Sequence, residues 1–302
     1  RGKDLSDFLD NLVERIVDYV EASHSNKHKT VNFLPASSRE KVTDLSLPLE
    51  GHGSQAILDD LDEFLKQCVK TNRPEFMNPL WGGLNVAGFA GEVVAALTNQ
   101  SMYTYELSPI ATLIEKAVIE RMMEIVGFGE GFGTLTTGGS NGNMLGMLCA
   151  RQYADPMSSL NGFDGTKYVA FVSEEAHYSV LMSANVLGIG YQNLVKVKCD
   201  ASGRMKPESL IDEINRATAD GRVPFCIIAT SGTTVRGAFD PLREIANIAH
   251  DNDIWLHVDA AWGGSCLFSR RYRGLMDGIE LVDSICWDAH KMMGLPLICS
   301  VF

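Results

Sequence analysis

Along the first two dozen residues apolar positions recur at three- and four-residue steps: Leu5, Phe8, Leu9, Leu12, Val13, Ile16, Val17 and Val20. That spacing gathers them on one side of a helix, so residues 4–23 are expected to form an amphipathic helix with a face to bury. A second helix is expected from Ser54 to Thr71. The rhythm changes at residue 168. Strand-like runs are expected at Tyr168–Ser173, Leu194–Lys198, Phe225–Thr230, Ile254–Asp259 and Ser284–Trp287, with helices near Glu175–Leu187, Pro207–Ala219 and Pro241–His250. These runs are apolar almost throughout rather than at alternate positions. Strands of that kind are covered on both faces, which predicts an α/β fold with a mostly parallel sheet between helices. Ligands of such sheets bind beyond the C-terminal ends of the strands.

The middle of the chain is less periodic. Between Asn72 and Leu107 lies the turn-rich stretch Arg73 to Asn85, including Asn78-Pro79-Leu80-Trp81. Ser108 and Pro109 have the character of an N-cap and first helical residue for a helix over Ile110–Val126. Further on, the glycine-rich segment Gly133 to Asn143 runs into a helical pattern carrying Met144, Leu145, Met147 and Leu148. A turn of this kind aims backbone N–H groups and the helix dipole at one point, so a phosphate can be held there by Gly139, Ser140 and Asn141 without a lysine. No Gly-Lys-Ser/Thr follows, and the segment is not a G-x-G-x-x-G dinucleotide fingerprint.

Composition narrows the function classes. The 302 residues are 45% hydrophobic and 21% charged, enough apolar content for a sizeable core. A net charge of -12 disfavours nucleic acid and anionic membranes as partners. There is no run of eighteen apolar residues, and the charged start lacks the apolar centre of a signal peptide, so a cytoplasmic protein is expected. The seven cysteines are scattered without C-x-x-C spacing, which argues against a metal site or a disulfide framework.

The chemistry sits on two segments. In Ile254 to Gly264 an apolar run delivers Asp259 to its C-terminal end, followed by Ala260 and Ala261; in Asp283 to Gly294 a second run ends beside Lys291. A lysine that can form a Schiff base with an aldehyde, next to a carboxylate that can keep a pyridine nitrogen protonated, is what pyridoxal 5'-phosphate requires of a protein. The segments His257-Val258-Asp259-Ala260-Ala261-Trp262-Gly263-Gly264 and Asp288-Ala289-His290-Lys291 resemble those of the group II pyridoxal-phosphate decarboxylases, from about Leu5 to Phe302. Where this chain has Asp288-Ala289 the family more often has Asn-Pro.

The resemblance implies a fold-type-I large domain over residues 76–302, an N-terminal helical arm over residues 1–75 packed across a twofold homodimer, and active sites shared between subunits. It implies that Lys291, Asp259 and His177 are catalytic. His177 would stack on one face of the cofactor ring and Ala261 pack on the other. Thr230, in a segment like the family's Ala-Thr-x-Gly-Thr-Thr loop, would lie near the ring oxygen or Asp259, and His290 would contact the phosphate. Asn78-Pro79-Leu80-Trp81 would contact substrate, although Pro79 replaces an amide that the glutamate and cysteine-sulfinate branch uses. Trp262 and Thr104-Tyr105-Glu106 resemble that branch more than the aromatic one. Decarboxylation of a small acidic L-amino acid such as glutamate, aspartate or cysteine sulfinate is therefore expected. A transaminase or other lyase of the same fold, or a non-catalytic cofactor-binding homologue, stays open. Eleven residues follow Lys291; family members continue with a mobile loop and a C-terminal domain, so this chain is expected to be shorter than the complete protein.

Overall fold

The computed structural model describes residues 2–25 and 29–302; Arg1 and residues 26–28, which fall within the expected arm, lie outside the described residues. The chain divides into two compact units, Arg1–Leu84 and Asn85–Phe302.

In the first unit α1 spans Gly2–His24, α2 Ala36–Arg39 and α3 Ser54–Gln67. The last stops short of Thr71 because Cys68 turns to extended backbone. Arg15 on α1 donates to Asp62 on α3 at 3.0 Å, and the Lys70 ammonium lies 4.0 Å from the centre of the Tyr19 ring. The apolar stripe of α1 forms as its periodicity dictates, yet Leu5, Leu9, Val13 and Val17 all stay exposed in the single chain.

The second unit contains α4 (Val86–Thr98), α5 (Pro109–Val126), α6 (Gly139–Ala154), α7 (Ser158–Asn161), α8 (Ser179–Val186), α9 (Pro207–Ala219) and α10 (Leu242–Asp251). Its strands are β1 (Leu135–Thr136), β2 (Tyr168–Ser173), β3 (Leu194–Val197), β4 (Val223–Thr230), β5 (Trp255–Asp259), β6 (Ser284–Asp288) and β7 (Ser300–Val301). They form one sheet in the order β1-β7-β6-β5-β4-β2-β3. From β6 to β3 all neighbours are parallel, while β7 and β1 join antiparallel at one edge.

Helix α4 follows the turn-rich stretch Arg73 to Asn85, in a segment where the sequence pattern predicts no element. Its sequence is apolar on all sides, so it carries no amphipathic period; its bounds come from Asn85, whose side chain accepts from Gly88 N, and from left-handed Asn99. Ser108 does stand at the N-cap of α5, with Pro109 following, but its hydroxyl donates to Gln100 Oε1 at 2.7 Å instead of capping the helix.

The sheet is covered on both faces. Ile227 and Ala229 of β4 pack with Leu210 and Ile214 of α9 and Leu242 and Ile245 of α10; the alternate residues Cys226 and Ile228 pack with Met147 of α6 and Val180 and Ala184 of α8. Each fully buried aliphatic side chain contributes about 1.5–3 kcal/mol, and two covered faces explain why polar residues hardly interrupt the strands. Helix α6 lies unusually close to the sheet because it presents glycines. A Cβ on Gly142 would stand 2.7 Å from Cys286 Sγ, and one on Gly146 would enter the His257 ring.

Candidate active site

Because β4, β5 and β6 are parallel, Thr230, Asp259 and Asp288 emerge at the same edge of the sheet, with Thr230 and Cys286 directly beside Asp259 in register. The Asp259 carboxylate is buried. Its Oδ2 accepts from Asn143 Nδ2 at 2.8 Å and its Oδ1 from the Ala261 backbone N–H at 3.1 Å. Past β6 the chain turns, and Lys291 comes back with Nζ 3.1 Å from Asp288 Oδ2. Asp288, to which the motif assigns no role, is thus the partner of the lysine. It is buried, accepts from Ser300 Oγ at 2.6 Å and lies 3.6 Å from His290 Nε2. His290 is buried too, with Nδ1 2.8 Å from the Cys299 carbonyl.

The glycine-rich turn reaches this cluster. Gly138 (φ +124°) takes a conformation that side chains rarely adopt, and α6 begins at the next residue. A Cβ on Gly139 would lie 2.8 Å from Asp288 Oδ2 and 3.0 Å from Ala261 Cβ, so the turn, the partner of Lys291 and Ala261 are in van der Waals contact. Ser140 is exposed and Asn141 half-buried in the first turn of α6, where unpaired N–H groups and the dipole favour an anion. Thr230 Oγ1 is buried without a hydrogen-bond partner. An orphaned hydroxyl beside Asp259 costs free energy unless a bound group satisfies it.

His177 lies between β2 and α8, not at a helix start, since α8 begins only at Ser179. It is half-buried, and burial lowers its pKa below the ordinary value; Asp259 pulls it up, Lys291 pushes it down, and Asp288 pulls it up. Those three charges act on His177 because it faces the same cluster. Its Nδ1 is 2.9 Å from Ser179 Oγ.

Some residues at the site carry no motif of their own. Asn143 joins Asp259 to Ser179, and His257, buried in β5, sits with Nε2 3.0 Å from Asn143 Oδ1 and Nδ1 2.9 Å from Ser284 Oγ. Burial drives the pKa of His257 down to about 3 against a smaller upward pull from the Ser284 main chain. The available signal was a histidine inside an apolar strand, since a buried polar group requires partners. The expected substrate residues lie in the first unit. Asn78 Oδ1 accepts from Leu80 N at 2.8 Å, Pro79 is exposed, and the Trp81 ring is 6.2 Å from that of Phe76, centre to centre.

Among the described residues no group of three or more His, Cys, Asp or Glu side chains is arranged to hold a metal ion. Pyridoxal phosphate, by contrast, fits the residues present. Lys291 offers an amine for its aldehyde, Asp259 an acceptor for its ring nitrogen, the start of α6 a cradle for its phosphate, and Thr230 an unsatisfied hydroxyl.

Known proteins match nearly the whole of this chain. It is 40% identical to the acidic amino acid decarboxylase GADL1 of Bos taurus over 292 residues, covering 96% of this chain and 56% of that protein. It is 39% identical to the cysteine sulfinic acid decarboxylase of Homo sapiens over 282 residues, covering 93% and 57% respectively. The crystal structure of mouse CSAD superposes with a TM-score of 0.95 at 38% identity, over 98% of this chain and 63% of that one. The chain thus spans a little over half the length of these curated relatives. Residues 35–302 match the conserved domain of the pyridoxal-dependent decarboxylases, and the chain belongs to that family.

Proposed function

We propose that the protein decarboxylates a small acidic L-amino acid, glutamate, aspartate or cysteine sulfinate, using pyridoxal 5'-phosphate held by the second unit. The observation that carries this reading is the convergence of Lys291, Asp259 and the Gly139 turn at the C-terminal edge of one parallel sheet. When bound, pyridoxal phosphate supplies an aldehyde that captures amines and a protonated ring that takes up the electron pair released as carbon dioxide leaves. Lys291 provides the amine for covalent attachment, and Asp288 and the turn after β6 fix where it stands. Asp259, held by two donors, accepts the ring N–H and keeps that proton in place. The first turn of α6, through Gly139, Ser140 and Asn141, binds the phosphate, with His290 beside it. His177 and Ala261 would pack on the ring, and the unpartnered Thr230 hydroxyl would serve the ring oxygen or Asp259.

An acidic substrate is supported by the names of the relatives, an acidic amino acid decarboxylase and a cysteine sulfinic acid decarboxylase. Asn78, Pro79, Leu80 and Trp81 are the proposed side-chain contacts. A homodimer with shared sites is supported by apolar residues that the single chain leaves exposed, Leu5, Leu9, Val13 and Val17 on α1 and Val86, Val93, Val94 and Leu97 on α4. A cytoplasmic location completes the proposal; no helix among the described residues is long and apolar enough to cross a membrane.

The test is to incubate the chain, loaded with pyridoxal phosphate, with each amino acid and to assay carbon dioxide, amine and keto acid. Carbon dioxide with the matching amine supports the proposal. Keto acid without carbon dioxide would replace it with transamination, and cofactor uptake without turnover would replace it with a binding role.

A further inference from the structure

Asn143 is 1% exposed, and its amide meets a carboxylate, a histidine and a serine that leads to a second histidine. Hydrogen-bond accounting leaves each proton of this network one place. Asp259 Oδ2 accepts, so the nitrogen of the Asn143 amide must face it, and Asn143 Oδ1 must then face His257 Nε2. The flipped amide would set Oδ1 against the carboxylate. Nε2 of His257 therefore carries the proton. Burial keeps that imidazole neutral, so Nδ1 is bare and accepts from the Ser284 hydroxyl, whose oxygen accepts from Trp255 Nε1–H at 2.9 Å.

In the other direction the second Asn143 N–H goes to Ser179 Oγ at 3.0 Å. The Ser179 backbone N–H donates to His177 Nδ1 at 3.3 Å, so that nitrogen is an acceptor and the Ser179 hydroxyl, 2.9 Å away, donates to it as well. An Nδ1 that accepts leaves the single proton of neutral His177 on Nε2. Taking the second unit as a pyridoxal-phosphate site, as proposed above, we infer that Asn143 is a positioning residue that locks Asp259 and His177 into one proton-ordered frame anchored through His257, Ser284 and Trp255. The frame sets the direction in which Asp259 offers its remaining lone pairs and the tautomer in which His177 meets the cofactor.

The experiment uses the whole chain with and without pyridoxal phosphate, comparing wild type, Asn143→Asp and Ser179→Ala. Nitrogen-15 and proton spectra of the imidazoles, assigned by substituting His177 and His257 singly, report the tautomers, and a titration reports cofactor affinity. Wild type should show His257 and His177 each protonated on Nε2 alone. Asn143→Asp sets a carboxylate against Asp259 and should weaken cofactor binding by about tenfold or more, the weight of one hydrogen bond to a charged group. Ser179→Ala removes the hydroxyl without adding charge and should let His177 sample the other tautomer.

His257 protonated on Nδ1 in wild type would overturn the inference. So would a folded Asn143→Asp that binds cofactor as wild type does. If Asn143→Asp does not fold, Ser179→Ala decides: a His177 spectrum identical to wild type overturns the frame, and a mixed tautomer supports it. A wild-type chain that takes up no pyridoxal phosphate would instead overturn the functional reading, while the tautomers still report on the frame itself.

Discussion

Replacing His257 with glutamine should change how stability depends on pH, and by an amount that the structure sets. His257 is fully buried, and its pKa falls from the ordinary 6.5 to about 3 because burial penalises the imidazolium. In the unfolded chain the ring is free to take a proton near its ordinary pKa. Below that point the unfolded state binds a proton that the folded state refuses, so stability is intact above about pH 6.5 and is lost as the pH falls toward 3. Between pH 7.5 and 5 the loss from this one group is about 2 kcal/mol, or about 3 °C in Tm for a chain of this size.

Other buried groups act in the same window with the opposite sign. Burial raises Asp240 to about 6, against two backbone N–H bonds from Met205 and Thr230, so the folded state gains a proton first and stability rises by about 1 kcal/mol on the same descent. Asp283, also raised by burial, adds to that gain. The wild-type profile is therefore a poor measure of His257, and the difference between wild type and His257→Gln is a good one. Glutamine keeps an N–H for Asn143 but takes no proton. Urea unfolding at pH 7.5, 6.5, 5.5 and 5 should show the stability difference between wild type and variant moving by about 2 kcal/mol in favour of the variant as the pH falls. Parallel profiles for the two proteins would refute the claim that a neutral imidazole is locked in β5.

Lys291→Ala should abolish borohydride-reducible attachment of pyridoxal phosphate and all turnover; a reducible bond that survives would place the attachment elsewhere. Asp259→Asn should still bind cofactor but lower kcat roughly 10²-fold or more, since an amide cannot hold the ring nitrogen protonated; a near-wild-type kcat contradicts that role. Gly139→Ala forces a methyl to within 2.8 Å of Asp288 Oδ2 and 3.0 Å of Ala261, so it should destabilise by about 1–3 kcal/mol and weaken cofactor binding; unchanged thermal melting and affinity would show that the turn yields freely. Pro79→Gln should raise kcat/KM for glutamate relative to aspartate or cysteine sulfinate, by restoring a donor for the distal carboxylate; an unchanged ratio makes Asn78 to Trp81 a connector.

What could be read from the sequence follows the range of the interactions involved. Strands β2 to β6 are legible because double-sided burial writes itself into consecutive residues, and parallel order sets Asp259 and the end of the run that leads to Lys291 at the same edge of the sheet. Helix α4 is not legible, since a segment apolar all round has no period and its surface is exposed in this chain. The edge strands β1 and β7 are two residues each, too short to leave a pattern. At the site, residues whose type offers chemistry stand out, whereas those that hold them do not. Asn143 and His257 are 114 positions apart, and the bond between them depends on Gly146 letting α6 settle onto the His257 ring, a coincidence of a helical face and a strand register. Asp288 shows the same limit from the other side. It lies on one of the two segments that mark the site, yet its contact with Lys291 needs the turn after β6, and its contact with Ser300 needs β7 to return antiparallel beside it. One buried carboxylate oxygen thus meets both the Lys291 ammonium and the Gly139 turn, so a phosphate held at the start of α6, as proposed, would feel the charge of the same group that positions the amine.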